Sequence, residues 1–374
     1  MDTNTTRHRA IELIFSRKLL LYSERRFIRF CLMLTLTAVA LCSCPPSFAT
    51  NNIVNIYTWA EEIPAPVIAQ FEQETGIKVN YTSFDSNEMM YAKLHATHNQ
   101  TYDIIEPSSY YVDRMWHQNL LEKLDKSKLP NFKYLDTFFI NQAYDPKSTY
   151  SLPFIWGITS IFINKNYFSS NQLTSWLELY NKQFTNQLML LDDPREAFSM
   201  ALLILGYSIN DTNPEHIKQA YLKLRQLMPN VRMFNTDAVI SIIIDEDAGV
   251  GLSWNGDLYK ASLENPNLEF IYPKEGFEIW VDNFVIMQSA PHKENAYKLL
   301  NFLMRPEIAK TVSLSINYST ANKAAKNLMP PEVKNNPVLY PSKEILARGQ
   351  FETDIGDKTF GLMEKYWEQL KMGG

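Results

Sequence analysis

The stretch NIVNIYTWAEEIPAPVIAQFEQETGIKVNYTSF, residues 52–84, has the pattern of one strand–helix–strand unit. Residues 52–57 have the apolar pattern of a strand, and residues 77–84 alternate like a second strand. Between them, residues 64–76 are amphipathic and end in Gly76, a residue that commonly closes a helix. Because strands that alternate with helices build mostly parallel sheets, this stretch predicts an α/β fold.

The alternation of strands and helices continues along the chain. Further strands are predicted over residues 102–106, 158–164, 187–191, 248–254, 268–272 and 279–287. Helices are predicted over residues 86–96, 109–118, 173–182, 194–206, 214–228, 293–304, 306–316 and 357–372. The 374 residues are too many for one ordinary core, and no repeat or flexible linker interrupts them. We therefore expect two lobes joined by crossing strands.

The first 49 residues differ from the rest in charge and pattern. A basic run, Arg25-Arg26-Phe27-Ile28-Arg29, precedes an apolar stretch from Phe30 to Leu41 that is too short to span a bilayer. Ser47 and Ala49 then supply the small residues of a cleavage site, so residues 1–49 are predicted to be a secretory signal peptide. The alternative interpretation is a lipoprotein signal with Cys44 lipidated. Both interpretations predict export to the periplasm.

Charge and cysteine content exclude several classes of function. After residue 49 the chain has 29 basic and 38 acidic residues, from totals of 36 and 41 in the whole chain. This acidic balance argues against a nucleic-acid partner, which would need a basic surface. All three cysteines lie before residue 50, so disulfide and thiol chemistry are excluded from the predicted mature chain.

Four acid-rich clusters, three of them with an indole, lie just after predicted strands or within them. They are Trp59-Ala60-Glu61-Glu62, Asp192-Asp193-Pro194-Arg195-Glu196, Trp254-Asn255-Gly256-Asp257 and Trp280-Val281-Asp282. Ligands of open α/β sheets bind outside the carboxyl ends of the strands. Carboxylates and indole faces collected there, with Arg195 the only basic residue of the four clusters, suit an organic cation and not a phosphate.

Each of these clusters also has a purely structural interpretation. Asp193-Pro194-Arg195-Glu196 matches a helix N-terminus, with Asp193 as the cap and Glu196 completing a capping box. A tryptophan in a strand more often packs in a core than binds a ligand, and we expect Trp116 and Trp367 to pack. Ser108-Ser109-Tyr110-Tyr111 can simply begin a helix, although it follows the third strand and so lies at a pocket edge. A residue such as Asp193 can both cap a helix and bind a ligand, because a strand–helix junction is where ligands lie.

Signals for catalysis, metals and cofactors are weak. His95 and His98 are one helical turn apart but lack a third ligand at metal-binding spacing. Gly249-Val250-Gly251 lacks the third glycine of a dinucleotide fingerprint. We therefore predict no catalytic residue, no metal and no cofactor. Paired carboxylates beside aromatic rings would also suit a glycoside hydrolase, which remains a minor alternative.

From about residue 52 to its end, the chain resembles the substrate-binding protein of bacterial spermidine/putrescine ABC transporters. The similar segments are residues 74–79 (ETGIKV), 86–94 (SNEMMYAKL), 107–113 (PSSYYVD), 125–129 (DKSKL), 192–196 (DDPRE), 227–231 (LMPNV) and 273–276 (PKEG), followed by Trp280 and Asp282. These motifs are numerous and collinear.

The resemblance implies a two-lobed periplasmic binding protein fold, in which each lobe is a mostly parallel sheet flanked by helices, with a hinge between the lobes. The implied limits are residues 50–156 plus 281–326 for one lobe and 157–280 plus 327–374 for the other. The protein would be a monomer that closes on a polyamine and delivers it to an inner-membrane permease driven by an ATPase. A polyamine sensor of the same shape remains an alternative.

The resemblance also implies the ligand-binding residues. The acids that would hold the amino groups are Asp193, Glu196 and Asp282. The aromatic rings that would enclose the methylene chain are those of Trp59, Tyr110, Trp254, Trp280 and Tyr318. Ser108 would add a polar contact, and Glu61 an acid near the ligand end. Three positions depart from the family pattern. Ala60 replaces a hydroxyl residue, Glu62 an aromatic residue and Glu352 a glutamine. With Glu62 and Glu352 included in the predicted site, we expect either a ligand of higher positive charge or a looser hold on its carbon chain.

Overall fold

The computed structural model describes residues 52–97, 101–169 and 173–373, so the predicted signal peptide, Cys44 and His98 lie outside the described residues. The strands are β1 Ile53–Trp59, β2 Lys78–Phe84, β3 Ile104–Ile105, β4 Ser151–Asn164, β5 Leu188–Leu190, β6 Val231–Phe234, β7 Val250–Trp254, β8 Leu268–Ile271, β9 Phe277–Ile286, β10 Ser319–Thr320 and β11 Gly349–Phe351.

The α-helices are α1 Ala65–Thr75, α2 Asn87–Ala96, α3 Ser109–His117, α4 Pro194–Ile204, α5 Pro214–Leu227, α6 Val239–Ile244, α7 Asn255–Ser262, α8 Lys293–Leu303, α9 Pro306–Ile316, α10 Lys323–Leu328, α11 Pro331–Lys334, α12 Lys343–Leu346 and α13 Gly356–Lys371. Short 3₁₀ helices cover Lys126–Lys128, Pro130–Tyr134, Pro146–Ser148, Trp176–Tyr180, Lys182–Phe184 and Met228–Asn230. In the described part of the chain, no helix has the length and apolarity that crossing a bilayer requires.

The opening unit forms as its sequence predicts. Helix α1 ends at Gly76, whose φ of 69° is the left-handed conformation that glycine adopts without a steric penalty. The chain then returns as β2, which pairs in parallel with β1 from Ile53 opposite Lys78 to Trp59 opposite Phe84. Both strands therefore end at the same edge of the sheet, where the rings of Trp59 and Phe84 lie 4.7 Å apart.

The main sheet has the order β2-β1-β3-β9-β4-β7-β5-β6. The pairs are parallel at both ends, where β1 contacts β2 and β3, and β5 contacts β6 and β7. The central strands β9 and β4 run antiparallel to each other and to their outer neighbours β3 and β7. Two parallel units are thus joined by two long strands that cross between them.

Two hydrophobic clusters lie on the two halves of this sheet. The first includes side chains of β1, α1, α3 and α8, and the second includes those of β5, α4, β7 and α13. Strand β4 contributes Ile155 to the first cluster and Trp156 to the second, and β9 contributes Phe284 to the first and Val281 to the second. The predicted limits of the lobes lie close to these residues and remain a prediction.

Several elements differ from the sequence-based prediction. The region around Trp176 is a short 3₁₀ helix and not an α-helix, and β4 begins at Ser151, seven residues earlier than predicted. The 3₁₀ helix at Trp176 starts with a capping box of Ser175 and Glu178 but stops at Tyr180. The prediction missed β6, β10, β11, α6, α7 and α10–α12, and elements this short carry few periodic positions by which they could be recognised.

Candidate functional site

A cavity of about 580 Å³ opens between side chains of the two halves, and all twelve predicted ligand-binding residues line it. Ten acidic side chains face it, against one basic side chain, Arg195, among the described residues. The acids are Glu61, Glu62, Asp85, Asp193, Glu196, Asp237, Asp257, Glu278, Asp282 and Glu352. Six aromatic rings complete the lining, from Trp59, Phe84, Tyr110, Trp254, Trp280 and Tyr318.

The carboxyl end of β1 supplies one wall of the cavity. The strand ends at Trp59, and the next residues turn sharply, with Glu61 in the left-handed region at a φ of 59°. Glu61 is exposed at the rim, whereas Glu62 points inward and its Oε1 is buried without a hydrogen-bond partner in the described structure. A turn after a parallel strand therefore carries these side chains to the ligand edge of the sheet.

Asp282 is held in the middle of β9 by a polar network. It is 8% exposed, and its Oδ1 accepts a hydrogen bond of 2.7 Å from the Ser108 hydroxyl. Asn87, at the start of α2, donates to Ser108 Oγ at 3.0 Å and to the Tyr110 hydroxyl at 3.1 Å. The amide of Asn87 thus links the predicted residues Ser108 and Tyr110 and orients the hydroxyl that supports Asp282.

The start of α4 supplies the opposite wall. Asp193 caps this helix, accepting from the backbone N–H groups of Arg195 at 2.7 Å and Glu196 at 3.3 Å. The predicted capping box is wrong for Glu196, because its side chain leaves the helix end and accepts from Thr159 Oγ1 at 2.9 Å and Trp254 Nε1 at 2.8 Å. Its second oxygen, Oε2, is buried without a partner among the described residues. Both carboxylates face the cavity, and that of Asp193 also caps the helix.

Two glycines make room for the aromatic wall. A Cβ at Gly157 would lie 2.1 Å from the Trp280 ring, and one at Gly256 would lie 2.3 Å from the Tyr318 ring. The two rings meet edge to face with centroids 5.4 Å apart. Tyr318 also donates its hydroxyl to Asp257. Close packing of this kind holds the rings at fixed positions beside the acids.

The positive charge of Arg195 is paired with a neighbouring carboxylate. Its Nε donates to Glu352 Oε1 at 3.0 Å, and both side chains are 4% exposed. Its Nη2 donates to Asn210 Oδ1 at 2.6 Å. Of the two acids that depart from the family pattern, Glu352 therefore has a counter-charge, and no ion pair of Glu62 is found in the described part of the chain.

Burial raises the pKa of the more deeply placed acids of the cavity. Burial raises the pKa of Asp282 to about 7, although the hydrogen bond from Ser108 opposes the rise. Burial, together with the charges of Asp193 and Glu352, raises the pKa of Glu196 to about 8. The pKa values of Glu62 and Asp193 are also raised, mainly by burial. A bound cation would favour the charged form of every one of these groups.

The structure also adds residues that sequence reasoning did not place in the site and removes others. Phe84, Asp85, Asn87, Ile155, Thr236, Asp237 and Glu278 line the cavity as well. Of these residues, only Asn87 could have been found from the sequence, because it lies in segment 86–94, which resembles the family. Asp192 belongs to one of the four acid clusters but lies elsewhere, where it accepts from Trp367 Nε1 at 2.9 Å and Lys371 Nζ at 3.0 Å.

Trp116 and Trp367, which were expected to pack, and His95 stay outside the cavity. Trp116 donates its indole N–H to the carbonyl of Tyr144 at 2.9 Å, and Trp367 is buried. His95 lies exposed on α2. The described residues contain no group of three or more side chains placed to hold a metal ion.

Comparison with known proteins gives consistent likenesses. Residues 67–341 match the family of bacterial extracellular solute-binding proteins. The chain is 42% identical over 341 residues to the spermidine/putrescine-binding periplasmic protein of Salmonella typhimurium, covering 91% of this chain and 98% of that protein. Its identity to the protein of the same name in Escherichia coli is also 42%, over 86% of this chain and 92% of that one. A solved structure, titled a putative spermidine/putrescine ABC transporter from Listeria monocytogenes, has a TM-score of 0.79 at 36% identity, over 86% of this chain and 99% of that one.

These likenesses confirm the predicted periplasmic binding protein fold and the predicted periplasmic location. The relatives are solute-binding proteins and not enzymes, which contradicts the glycoside hydrolase alternative. The family match and the two curated relatives each cover well over two thirds of the chain. This protein belongs to the family of bacterial extracellular solute-binding proteins.

Proposed function

We propose that this protein captures a polyamine, spermidine or putrescine, in the acidic aromatic cavity and delivers it to an ABC permease of the inner membrane. One observation carries the proposal. Ten acidic side chains face the cavity, and the only basic side chain among its described lining residues is already paired with Glu352. Such a cavity is complementary to an organic cation and repels anions.

The acids determine the class of ligand. A polyamine carries ammonium groups that would be costly to bury without a negative partner. Asp282 on one wall and Asp193 and Glu196 on the other all line the cavity, and Asp282 and Glu196 are more than nine-tenths buried. An ammonium group at either wall would therefore be paired as it loses water. Charge-assisted hydrogen bonds contribute about 1.5–3 kcal/mol each, so three of them approach the ~8 kcal/mol of micromolar binding.

The aromatic rings suit the rest of such a ligand. Burial of each methylene group contributes about 0.8 kcal/mol, and contact of an ammonium with an indole or phenol face adds about 0.5–2 kcal/mol. Trp254 and Trp280 approach from different strands, β7 and β9, so a flexible chain can be enclosed from two sides. Rings alone would accept many apolar ligands, whereas acids separated by rings select a cation with a carbon chain.

Delivery follows from the arrangement of the two walls. Acids that hold one ligand come from both halves of the sheet, so binding would favour the closed arrangement of the lobes over an open one. A closed, loaded monomer is the form that a permease with its ATPase would recognise. The relatives at 42% identity are named as spermidine/putrescine-binding proteins, which supports the ligand class.

Isothermal titration calorimetry with spermidine, putrescine and spermine tests the proposal directly. We expect micromolar or tighter binding of at least one of them. Butane-1,4-diol is the matched control, because it keeps the carbon chain of putrescine and replaces both ammonium groups by hydroxyls; it should give no heat of binding. Absence of heat with all three polyamines at millimolar concentration would refute the proposed function.

A further inference from the structure

Three carboxyl groups, those of the buried Glu106 and Asp282 and of the half-buried Glu62, converge where three neighbouring strands end or cross. Glu62 follows β1, Glu106 follows β3, and Asp282 lies on β9, which is next to β3 in the sheet. The isolated bridge between Ser108 and Asp282 brings the segment after Glu106 against β9. Glu62 and Asp282 face the cavity, and Glu106, which is 0% exposed, lies behind them.

Two oxygens of this cluster have no donor in the described structure, although the indole N–H of Trp59 lies near Asp282 and opposes the rise that burial causes in its pKa. Thr58 donates its hydroxyl to Glu106 Oε2, and Ser108 donates to Asp282 Oδ1 at 2.7 Å. Glu106 Oε1 and Glu62 Oε1 are buried, with no hydrogen-bond partner in the described structure. Buried carboxylate oxygens without partners are costly, so each of the two atoms indicates a missing donor.

The surroundings of the cluster provide no basic group either. Besides one another, the three carboxyl groups face the titratable side chains of Tyr81 on β2 and Tyr318. Both hydroxyls are already committed, Tyr81 to the carbonyl of Trp59 at 3.2 Å and Tyr318 to Asp257. No lysine, arginine or histidine forms an ion pair with the cluster in the part of the chain that the structure describes. The opposite wall differs, because Arg195 and Glu352 balance each other there.

We propose that Glu62, Glu106 and Asp282 form a proton-exchanging ammonium subsite: the empty protein holds protons among the three carboxyl groups, and an ammonium group of the bound polyamine displaces one of them into solvent. The ammonium group keeps its own protons and is paired with the carboxylate that remains. This inference rests on the proposed function, because only a ligand with an ammonium group would occupy the subsite in this way.

Elementary electrostatics explains the exchange. Burial and the neighbouring negative charges disfavour ionisation, and they raise the pKa of Glu62 and Glu106 well above the usual range and that of Asp282 to about 7. A cation in contact with the cluster has the opposite effect on all three groups. The titrations are coupled, so the released proton belongs to the cluster and not to one residue. Ligand affinity should therefore rise with pH, by up to about tenfold per pH unit for one proton released.

Glu62 is the specificity-determining member of the cluster. It is the one whose unpartnered oxygen belongs to a side chain that lines the cavity, so it can reach a ligand directly. It also adds a negative charge where the family pattern has an aromatic residue. We expect the subsite to favour ligands that place an ammonium group beside both Glu62 and Asp282, in addition to one held by Asp193 and Glu196.

Calorimetry in two buffers measures the exchange. Spermidine is titrated at pH 7 in phosphate and in Tris, whose ionisation enthalpies differ, so a released proton changes the observed heat. We expect proton release by the wild-type protein and at least a halving of it in Glu62→Gln, whose Kd should also vary less between pH 6 and pH 8. Glu264→Gln, the same change on an exposed side chain outside the cavity, is the matched control and should behave like the wild type.

A second variant guards against an effect on folding. Glu106→Gln cannot contact the ligand from behind Glu62, yet it removes one member of the cluster and should also reduce proton release. Equal heats in both buffers for the wild type, with spermidine still bound, would overturn the subsite and leave the proposed function standing. Unchanged proton release in both Gln variants would overturn it equally. Absence of binding by every polyamine would instead contradict the proposed function, and the subsite with it.

Discussion

Replacement of Asp282 by Asn removes one negative charge from the ligand cavity and little else. The side chain is 8% exposed, and its Oδ1 accepts from the Ser108 hydroxyl at 2.7 Å, a bond that an asparagine carbonyl oxygen can still accept. The lost interaction is then one charge-assisted hydrogen bond to an ammonium group, worth about 1.5–3 kcal/mol. Since about 1.4 kcal/mol is tenfold in affinity, the Kd for a polyamine should rise between about tenfold and about a hundredfold.

Calorimetric titration of spermidine into both proteins measures this change. The pKa of Asp282 is raised by burial to about 7, so the loss should be larger at pH 8, where the wild-type carboxyl group is mostly ionised, than at pH 6. Asp247→Asn, the same substitution at an exposed position outside the cavity, is the control. An unchanged Kd in Asp282→Asn would show that the ligand does not contact this carboxylate and that the site is misplaced.

Three further predictions concern shape, closure and pH. Gly157→Ala should displace the Trp280 ring, because the new Cβ would lie 2.1 Å from it. We expect the free energy of unfolding, measured by chemical denaturation, to fall by about 1–3 kcal/mol. Polyamine binding should weaken as well. Arg114→Ala removes the 2.9 Å ion pair between Arg114 on α3 and Asp354 near α13, which joins the two halves away from the ligand. The dissociation rate of the polyamine, measured by stopped flow, should therefore increase. The variant should largely keep the stability of the wild type. The folded-state pKa of Glu196, about 8, exceeds its ordinary value, so this group stabilises the empty protein at low pH, and its contribution should be lost as pH rises from about 4 to about 8. The melting temperature of the wild type should therefore fall relative to that of Glu196→Gln over this range. A constant difference between the two melting temperatures would contradict that assignment.

The opening strand–helix–strand unit could be predicted because its signals are local. Alternation, an amphipathic stretch and Gly76 at the helix end each depend on neighbouring residues, and the structure has all three elements within two residues of the prediction. The acid clusters were recognisable for a related reason. Within each parallel unit the strands place their carboxyl ends at one edge, so the residues that follow β1 in one unit and β5 in the other could be recognised as candidates without any knowledge of their contacts.

The long-range pairs could not be predicted. Arg195 and Glu352 are 157 positions apart. Nothing local indicates that the only basic side chain among the described lining residues is paired with one of the two acids that depart from the family pattern. Asp192 and Asp193 are adjacent in sequence and chemically identical, yet the helix geometry sends one to Lys371 and the other to the N-terminus of α4. Glu278 lies within the pattern of a buried strand, where a charged side chain carries no signal of its own.

A crystal structure of the protein with spermidine would show which side chains hold the ammonium groups. We expect ammonium nitrogens at hydrogen-bond distance, about 2.7–3.2 Å, from Asp282 on one wall and from Asp193 or Glu196 on the other, with the methylene chain between Trp254 and Trp280. A polyamine bound outside this cavity, or one whose nitrogens contact none of these carboxylates, would contradict this expectation.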